Sequence, residues 1–220
     1  MTVQHIGTEG RPVVVVDGFA PDPDRLVKVA MDLAYQPLGA FYPGGRAPVG
    51  SDYFDGLGSL LATIARDVFA APERLSCERA FYSIASTPPK NLSLAQRIPH
   101  VDNVEPDRIA VVHYLTHDDW GGTAFYRHRS TGYETITAKR HPRYLDQLKS
   151  DLVRYGEPPP GYIEGDTPIF ERIHLQAPAF NRAVIYPGAL LHCAALPNDR
   201  VLAAAPDQGR LTVASFLMLK

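Results

Sequence analysis

The order of apolar patterns along the chain predicts an α+β fold. Helical periodicity is concentrated in the first third, strand-like runs dominate from Cys77 onward, and neither βαβ alternation nor an internal repeat is visible. The 20 prolines and 17 glycines are spread over 220 residues without a low-complexity block, as turns are in a β-rich chain.

Residues 12–19 carry four consecutive valines before Asp17-Gly18 and predict a buried strand. Asp22 is placed as an N-cap, with Pro23 at the first helical position, where its missing N–H costs nothing. Leu26, Val29, Ala30 and Leu33 then share one face of a helix. Residues 42–52 read as a Pro/Gly loop. A second helix is expected from about Asp55, with Leu57, Leu60, Leu61, Ile64 and Val68 at helical spacing, and both helices should pack on one side of a sheet.

Residues 79–86 are strand-like until Pro88-Pro89, residues 93–102 read as extended, and residues 109–116 form a strong apolar strand. Asp118-Asp119-Trp120-Gly121-Gly122 is a turn before a strand over residues 123–129, so the pair predicts a hairpin. A third helix is expected over residues 143–155, with Pro142 near its start, Leu145, Leu148 and Leu152 on one face, and Gly156 and Pro158 beyond its end. Strands over residues 170–175, 181–186, 190–194 and 210–219 complete the chain, with a Pro187-Gly188 turn among them.

Composition narrows the function. A net charge of −2 and no basic cluster argue against nucleic acid as the main partner and leave a small molecule or a peptide as substrate. No apolar run approaches the roughly 18 residues of a membrane helix. The valine run at residues 13–16 lacks a basic lead and a cleavage site, so no secretory leader is expected. Cys77 and Cys193 are too few for a disulfide framework and read as reduced thiols, which predicts a cytoplasmic protein. With eight histidines and two cysteines, any metal site would be built from imidazole and carboxylate.

His100-Val101-Asp102 is the candidate start of such a site. On a strand, residues i and i+2 project to one face, so imidazole and carboxylate would converge. A 2-His-1-carboxylate set with open positions is the non-haem Fe(II) arrangement. A His-x-Asp triplet alone is weak, and a second one, His117-Asp118-Asp119, falls on a polar turn that explains it. The first is distinguished by the residues downstream of it: a strand ending Tyr114-Leu115-Thr116, then Trp120-Gly121-Gly122-Thr123, then residues 183–188, His192, and the run from Arg210 to Phe216.

Over residues 79–220 this succession resembles the 2-oxoglutarate/Fe(II)-dependent oxygenases, the prolyl-hydroxylase-like branch in particular, and is closest to uncharacterised bacterial members. The resemblance implies a double-stranded β-helix (jelly-roll, cupin-like) core with helices packed on one sheet. Residues 1–220 would form one domain, with an N-terminal strand and supporting helices over 1–76, the core over 77–220, and a helical insertion near 130–175; that insertion, placed as a lid, and the loop over residues 42–53 would set specificity. It implies His100, Asp102 and His192 as ligands of Fe(II). It implies Arg210 as partner of the distal carboxylate of the cosubstrate 2-oxoglutarate, with Thr212 and Tyr114 as further hydroxyl contacts. The implied activity is hydroxylation of a C–H bond.

Two departures from the family pattern stand out: Thr116 where Asn is common, and an apparent insertion over residues 198–208 that makes Arg200 a rival of Arg210. Two other readings keep the jelly roll: a cupin-like metalloenzyme without a keto acid, and a non-catalytic binding protein with a vestigial site.

Overall fold

The structure, a computed structural model, describes residues 1–70 and 75–220. The first strands are β1 (Thr2–Ile6) and β2 (Arg11–Asp17), followed by helix α1 (Pro23–Met31), strands β3 (Gln36–Pro37) and β4 (Gly44–Pro48), and helix α2 (Gly58–Phe69). Next come β5 (Leu75–Ala85), β6 (Arg108–Tyr114) and β7 (Thr123–His128), then helix α3 (His141–Tyr155). The chain ends in β8 (Phe170–Gln176), β9 (Arg182–Pro187), β10 (His192–Ala194) and β11 (Arg210–Leu219). The fold is α+β, with two antiparallel sheets: eight strands in the order β1-β2-β9-β6-β11-β5-β4-β3, and three in the order β10-β7-β8. Among the described residues no helix is long and apolar enough to cross a membrane.

The alternation of β11, which pairs with both β5 and β6, divides the molecule. Leu211, Val213 and Leu217 point to one face, where they meet Leu26 and Ala30 of α1 and Leu61 and Ile64 of α2 in the largest core. Each such buried Leu, Val or Ile side chain contributes roughly 1.5–3 kcal/mol. Arg210, Thr212, Ala214 and Phe216 point to the opposite face and line a cavity. That inner face is joined to the smaller sheet by Tyr114, Phe125, Val184, Tyr186 and Leu190.

Several local expectations hold. Asp22 caps α1, its Oδ1 accepting from the Arg25 N–H at 3.0 Å. The last strand occupies residues 210–219 as the pattern suggests. Others are corrected. Residues 42–52 contain β4, because Gly44 lets that strand lie against β5, where a Cβ would sit 2.0 Å from the Ile84 carbonyl oxygen. Strand β1 has one buried residue, Ile6, and so lacks the apolar alternation that would reveal it. Residues 93–102 are not a strand: Leu94–Gln96 is a 3-10 turn closed by reciprocal Ser93–Gln96 capping.

The hairpin expected from residues 109–129 is absent, since β6 pairs with β9 and β11 while β7 pairs with β8 and β10 in the other sheet. The Trp-Gly-Gly turn carries the chain between the sheets. At Gly121 (φ +91°) a Cβ would lie 1.8 Å from the Ala195 carbonyl oxygen, so only glycine permits the approach. Of the 130–175 segment, Tyr162 lines the cavity. Helix α3 packs through Tyr144 and Leu148 on Tyr126, Phe170 and Leu191, behind the smaller sheet, and β8 is an integral strand of that sheet. Strands β1–β4 share the large sheet with β5, β6, β9 and β11.

Candidate metal centre

His192 opens β10, and its neighbour across the sheet is Phe125 of β7, so its ring faces the inner side. A two-way bridge holds His100 opposite it: the His100 N–H donates to the His192 carbonyl, and the His192 N–H to the His100 carbonyl, both at 2.9 Å. The Asp102 N–H donates to the Gly188 carbonyl at 2.9 Å. These three bonds, not the two-residue period of a strand, bring the side chains together.

One ligand atom from each of His100, Asp102 and His192 lies within 4.8 Å of the others. His192 Nε2 is 3.4 Å from Asp102 Oδ2, and His100 Nε2 is 4.0 Å from Asp102 Oδ1. His192 Nδ1 is 2.8 Å from the Leu190 carbonyl oxygen, an acceptor only, so Nδ1 carries the proton and the Nε2 lone pair faces the carboxylate. Burial holds the His100 imidazole well below its usual range, reinforced by His192 and Arg46. Burial also raises the Asp102 carboxyl, against the pull of His192 and Arg46. Asp102 Oδ2 is buried without a hydrogen-bond partner. Two imidazoles and a carboxylate turned on one another, with a carboxylate oxygen left unsatisfied, fit a divalent cation that prefers nitrogen and oxygen donors.

Arg210 and Thr212 line the same cavity. Arg210 is buried, and its Nε and Nη2 donate to the carbonyls of Gly121 and Gly122 at 3.0 and 3.1 Å. The two glycines thus serve the site as well as the crossing, presenting carbonyls that orient a buried guanidinium. Thr212 Oγ1 donates to the Ser83 carbonyl at 3.4 Å. Tyr114 does not line the cavity; its hydroxyl is 2.7 Å from Thr123 Oγ1, and its ring lies 5.5 Å from the Arg210 guanidinium. Arg200 lines a different surface groove, donating to the Asp119 carbonyl and lying over Trp120.

The remaining histidines fall elsewhere. His117 stacks on Phe180, and His113 is buried between the Tyr53 hydroxyl and Asn181 Oδ1 at 3.1 and 3.0 Å. Cys193 is buried in the cluster beneath α3. A second histidine–carboxylate group lies in that cluster: His128 Nε2 is 3.0 Å from Asp151 Oδ2, with Thr131 Oγ1 at 2.9 Å from Nδ1.

Of the other cavity residues, Tyr42, Arg46 and Tyr162 fall within the two segments expected to set specificity, without being singled out there, and Phe41 and Tyr186 were not expected. Phe41 stacks on the His100 ring at 5.6 Å. Arg46 lies in a Gly-Gly-Arg-Ala-Pro stretch with no motif to mark it. Only the register Arg46–Ser83–Thr212 across β4, β5 and β11 brings it into the same row as the cosubstrate candidates.

The family described as "Family of unknown function (DUF6445)" matches residues 1–217. No curated protein matches the chain. Among solved structures, HygX from Streptomyces hygroscopicus with nickel and 2-oxoglutarate bound superposes with a TM-score of 0.55 at 14% identity, covering 94% of this chain and 82% of that one. HygX with nickel, 2-oxoglutarate and hygromycin B gives 0.53 at 14% identity, with 94% and 81% covered. The epimerase SnoN in complex with Fe3+, alpha ketoglutarate and nogalamycin RO gives 0.52 at 15% identity, with 94% and 78% covered. At such identities the likeness is one of fold.

Proposed function

Because the chain belongs to the family of unknown function DUF6445, its activity has to be read from its own residues, and we propose that it is an Fe(II)- and 2-oxoglutarate-dependent oxygenase that hydroxylates a C–H bond of a small molecule. The observation that carries this reading is the convergence of His100, Asp102 and His192, with its unsatisfied carboxylate oxygen, on a cavity whose wall also holds the buried cation Arg210.

In this reading His100, Asp102 and His192 hold the iron. The Leu190 carbonyl fixes the His192 tautomer that leaves Nε2 free to bind. Arg210, held by the Gly121 and Gly122 carbonyls, pairs with the distal carboxylate of 2-oxoglutarate. Thr212 adds a hydroxyl beside it, and Tyr114 acts as a positioning residue, its ring against the guanidinium and its hydroxyl on Thr123. Iron with 2-oxoglutarate supplies the oxidative half of the chemistry, in which the keto acid loses CO2 to give succinate and one oxygen atom of O2 enters the substrate. The chain's own contribution is to orient cosubstrate and substrate and to keep water from the reacting atoms with Phe41, Tyr186 and Phe216.

The ligands named with HygX and SnoN, hygromycin B and nogalamycin RO, favour a small-molecule substrate over a peptide. We read the two sheets as a double-stranded β-helix of the prolyl-hydroxylase-like kind, residues 1–220 as one such domain, and the protein as cytoplasmic. The test is anaerobic purification, addition of Fe(II) and 2-oxoglutarate, and measurement of succinate with and without air. Iron uptake with air-dependent succinate supports the reading, and the absence of both overturns it. Iron uptake with no response to 2-oxoglutarate would favour the cupin-like metalloenzyme.

A further inference from the structure

Arg46 stands out among the cavity residues because its charge is left unanswered. Its guanidinium lies 4.4 Å from the Tyr42 ring centroid and 5.5 Å from that of Phe81. Its Nε is buried without a hydrogen-bond partner. Among the described residues no carboxylate comes within 4.0 Å of it, and unlike Arg210, the other arginine of the cavity, whose Nε and Nη2 donate to the Gly121 and Gly122 carbonyls, it has no carbonyl acceptor either. The carboxylate that acts on it from farther away is Asp102, which the proposed iron would engage. Aromatic faces stabilise a guanidinium but accept no hydrogen bond from its edge, and a buried donor such as this Nε is costly to leave unpaired.

The charges in the cavity leave one cation over. Asp102 goes to the metal and Arg210 to the distal carboxylate of the keto acid, so Arg46 remains with a planar, bidentate donor face and no anion. Near it the wall is apolar. Phe41, half exposed at the rim, covers His100, and Phe216 lines the cavity from β11, two strands over from Arg46, with Arg79 over its ring at 4.5 Å.

We propose that Arg46 is the substrate-recognition residue of this cavity and that the substrate is a small carboxylic acid with an apolar body, its carboxylate on Arg46 and its body between Phe41 and Phe216. The inference rests on the oxygenase reading for its assignment of Asp102 and Arg210. It adds a substrate class to that reading.

The test uses the full chain loaded with Ni(II) and 2-oxoglutarate under nitrogen, after uptake of both has been measured. Phenylacetate is titrated against phenylacetamide, and hexanoate against hexanamide, by calorimetry or ligand-observed NMR. Each acid is expected to bind about tenfold or more tighter than its amide. In Arg46→Gln the ratio should fall to about one, whereas Arg46→Lys, which keeps the charge but loses the fork, should retain part of it. Thermal melts of both variants confirm that they are folded.

Equal binding of acid and amide, binding of neither, or an acid preference that survives Arg46→Gln overturns the proposal. Failure of nickel and 2-oxoglutarate uptake beside an Arg46-dependent acid preference would instead remove the oxygenase reading and leave the role of Arg46 standing.

Discussion

His128 with Asp151, and His100 with Asp102 and His192, are built from the same side chains on opposite faces of the small sheet. The first group lies under α3, with His128 against the rings of Tyr144 and Phe170 and both partners buried. Its edges are occupied, by Thr131 on the imidazole and by Gln147, whose Nε2 donates to Asp151 Oδ1 at 3.1 Å. It is a two-body contact that ties a helix to a strand. The second group has one more imidazole, longer separations and a cavity in front of it. What distinguishes a structural pair from a candidate metal centre is therefore the third donor and the open side, not the residue types.

Substitutions separate the two groups most sharply at the metal. Asp102→Ala or His192→Ala should abolish iron uptake and lower succinate formation by about 100-fold or more, since one ligand of three is lost. Asp151→Ala should leave iron uptake intact and instead lower stability by about 2 kcal/mol, the cost of leaving the buried His128 imidazole without its hydrogen-bond partner, measured by urea unfolding.

Acid should act on the structural histidines. Burial lowers His113 to about 4 from the ordinary imidazole value of 6.5, outweighing its hydrogen bond with Asn181, and burial also lowers His128. A lowered imidazole means that the unfolded chain binds more protons, so stability rises with pH between about 4 and 6.5 and is lost as pH falls through that window. For His113 the loss between pH 7 and pH 5 is about 2 kcal/mol. His113→Asn should flatten that part of the urea-midpoint profile. The smallest effect is expected at the cosubstrate: Arg210→Lys should weaken 2-oxoglutarate binding about tenfold while iron uptake persists, because the ammonium cannot hold both glycine carbonyls and a carboxylate in one plane.

The contrast also marks what the sequence could disclose. Elements set by local chemistry were legible: the Asp22-Pro23 entry to α1, and the alternation of β11 that sends Leu211 and Val213 to the helices and Arg210 and Thr212 to the cavity. Pairing was not. Gly121-Gly122 has the composition of a hairpin turn, and nothing local indicates that β6 and β7 join different sheets. His100 and Asp102 do converge, yet through a bridge to His192 that no strand period encodes. Arg46 and the His128–Asp151 contact depend on partners 37 and 23 positions away in the sequence, across a sheet register and a helix–strand packing, and so left no pattern to read.

Iron binding by equilibrium dialysis under nitrogen, compared among the wild type, Asp102→Ala and Asp151→Ala, tests the central claim most directly. One Fe(II) per chain is expected in the wild type and in Asp151→Ala, and none in Asp102→Ala. Equal iron in the wild type and Asp102→Ala, or loss of iron from a folded Asp151→Ala protein, would contradict the assignment of the metal to His100, Asp102 and His192.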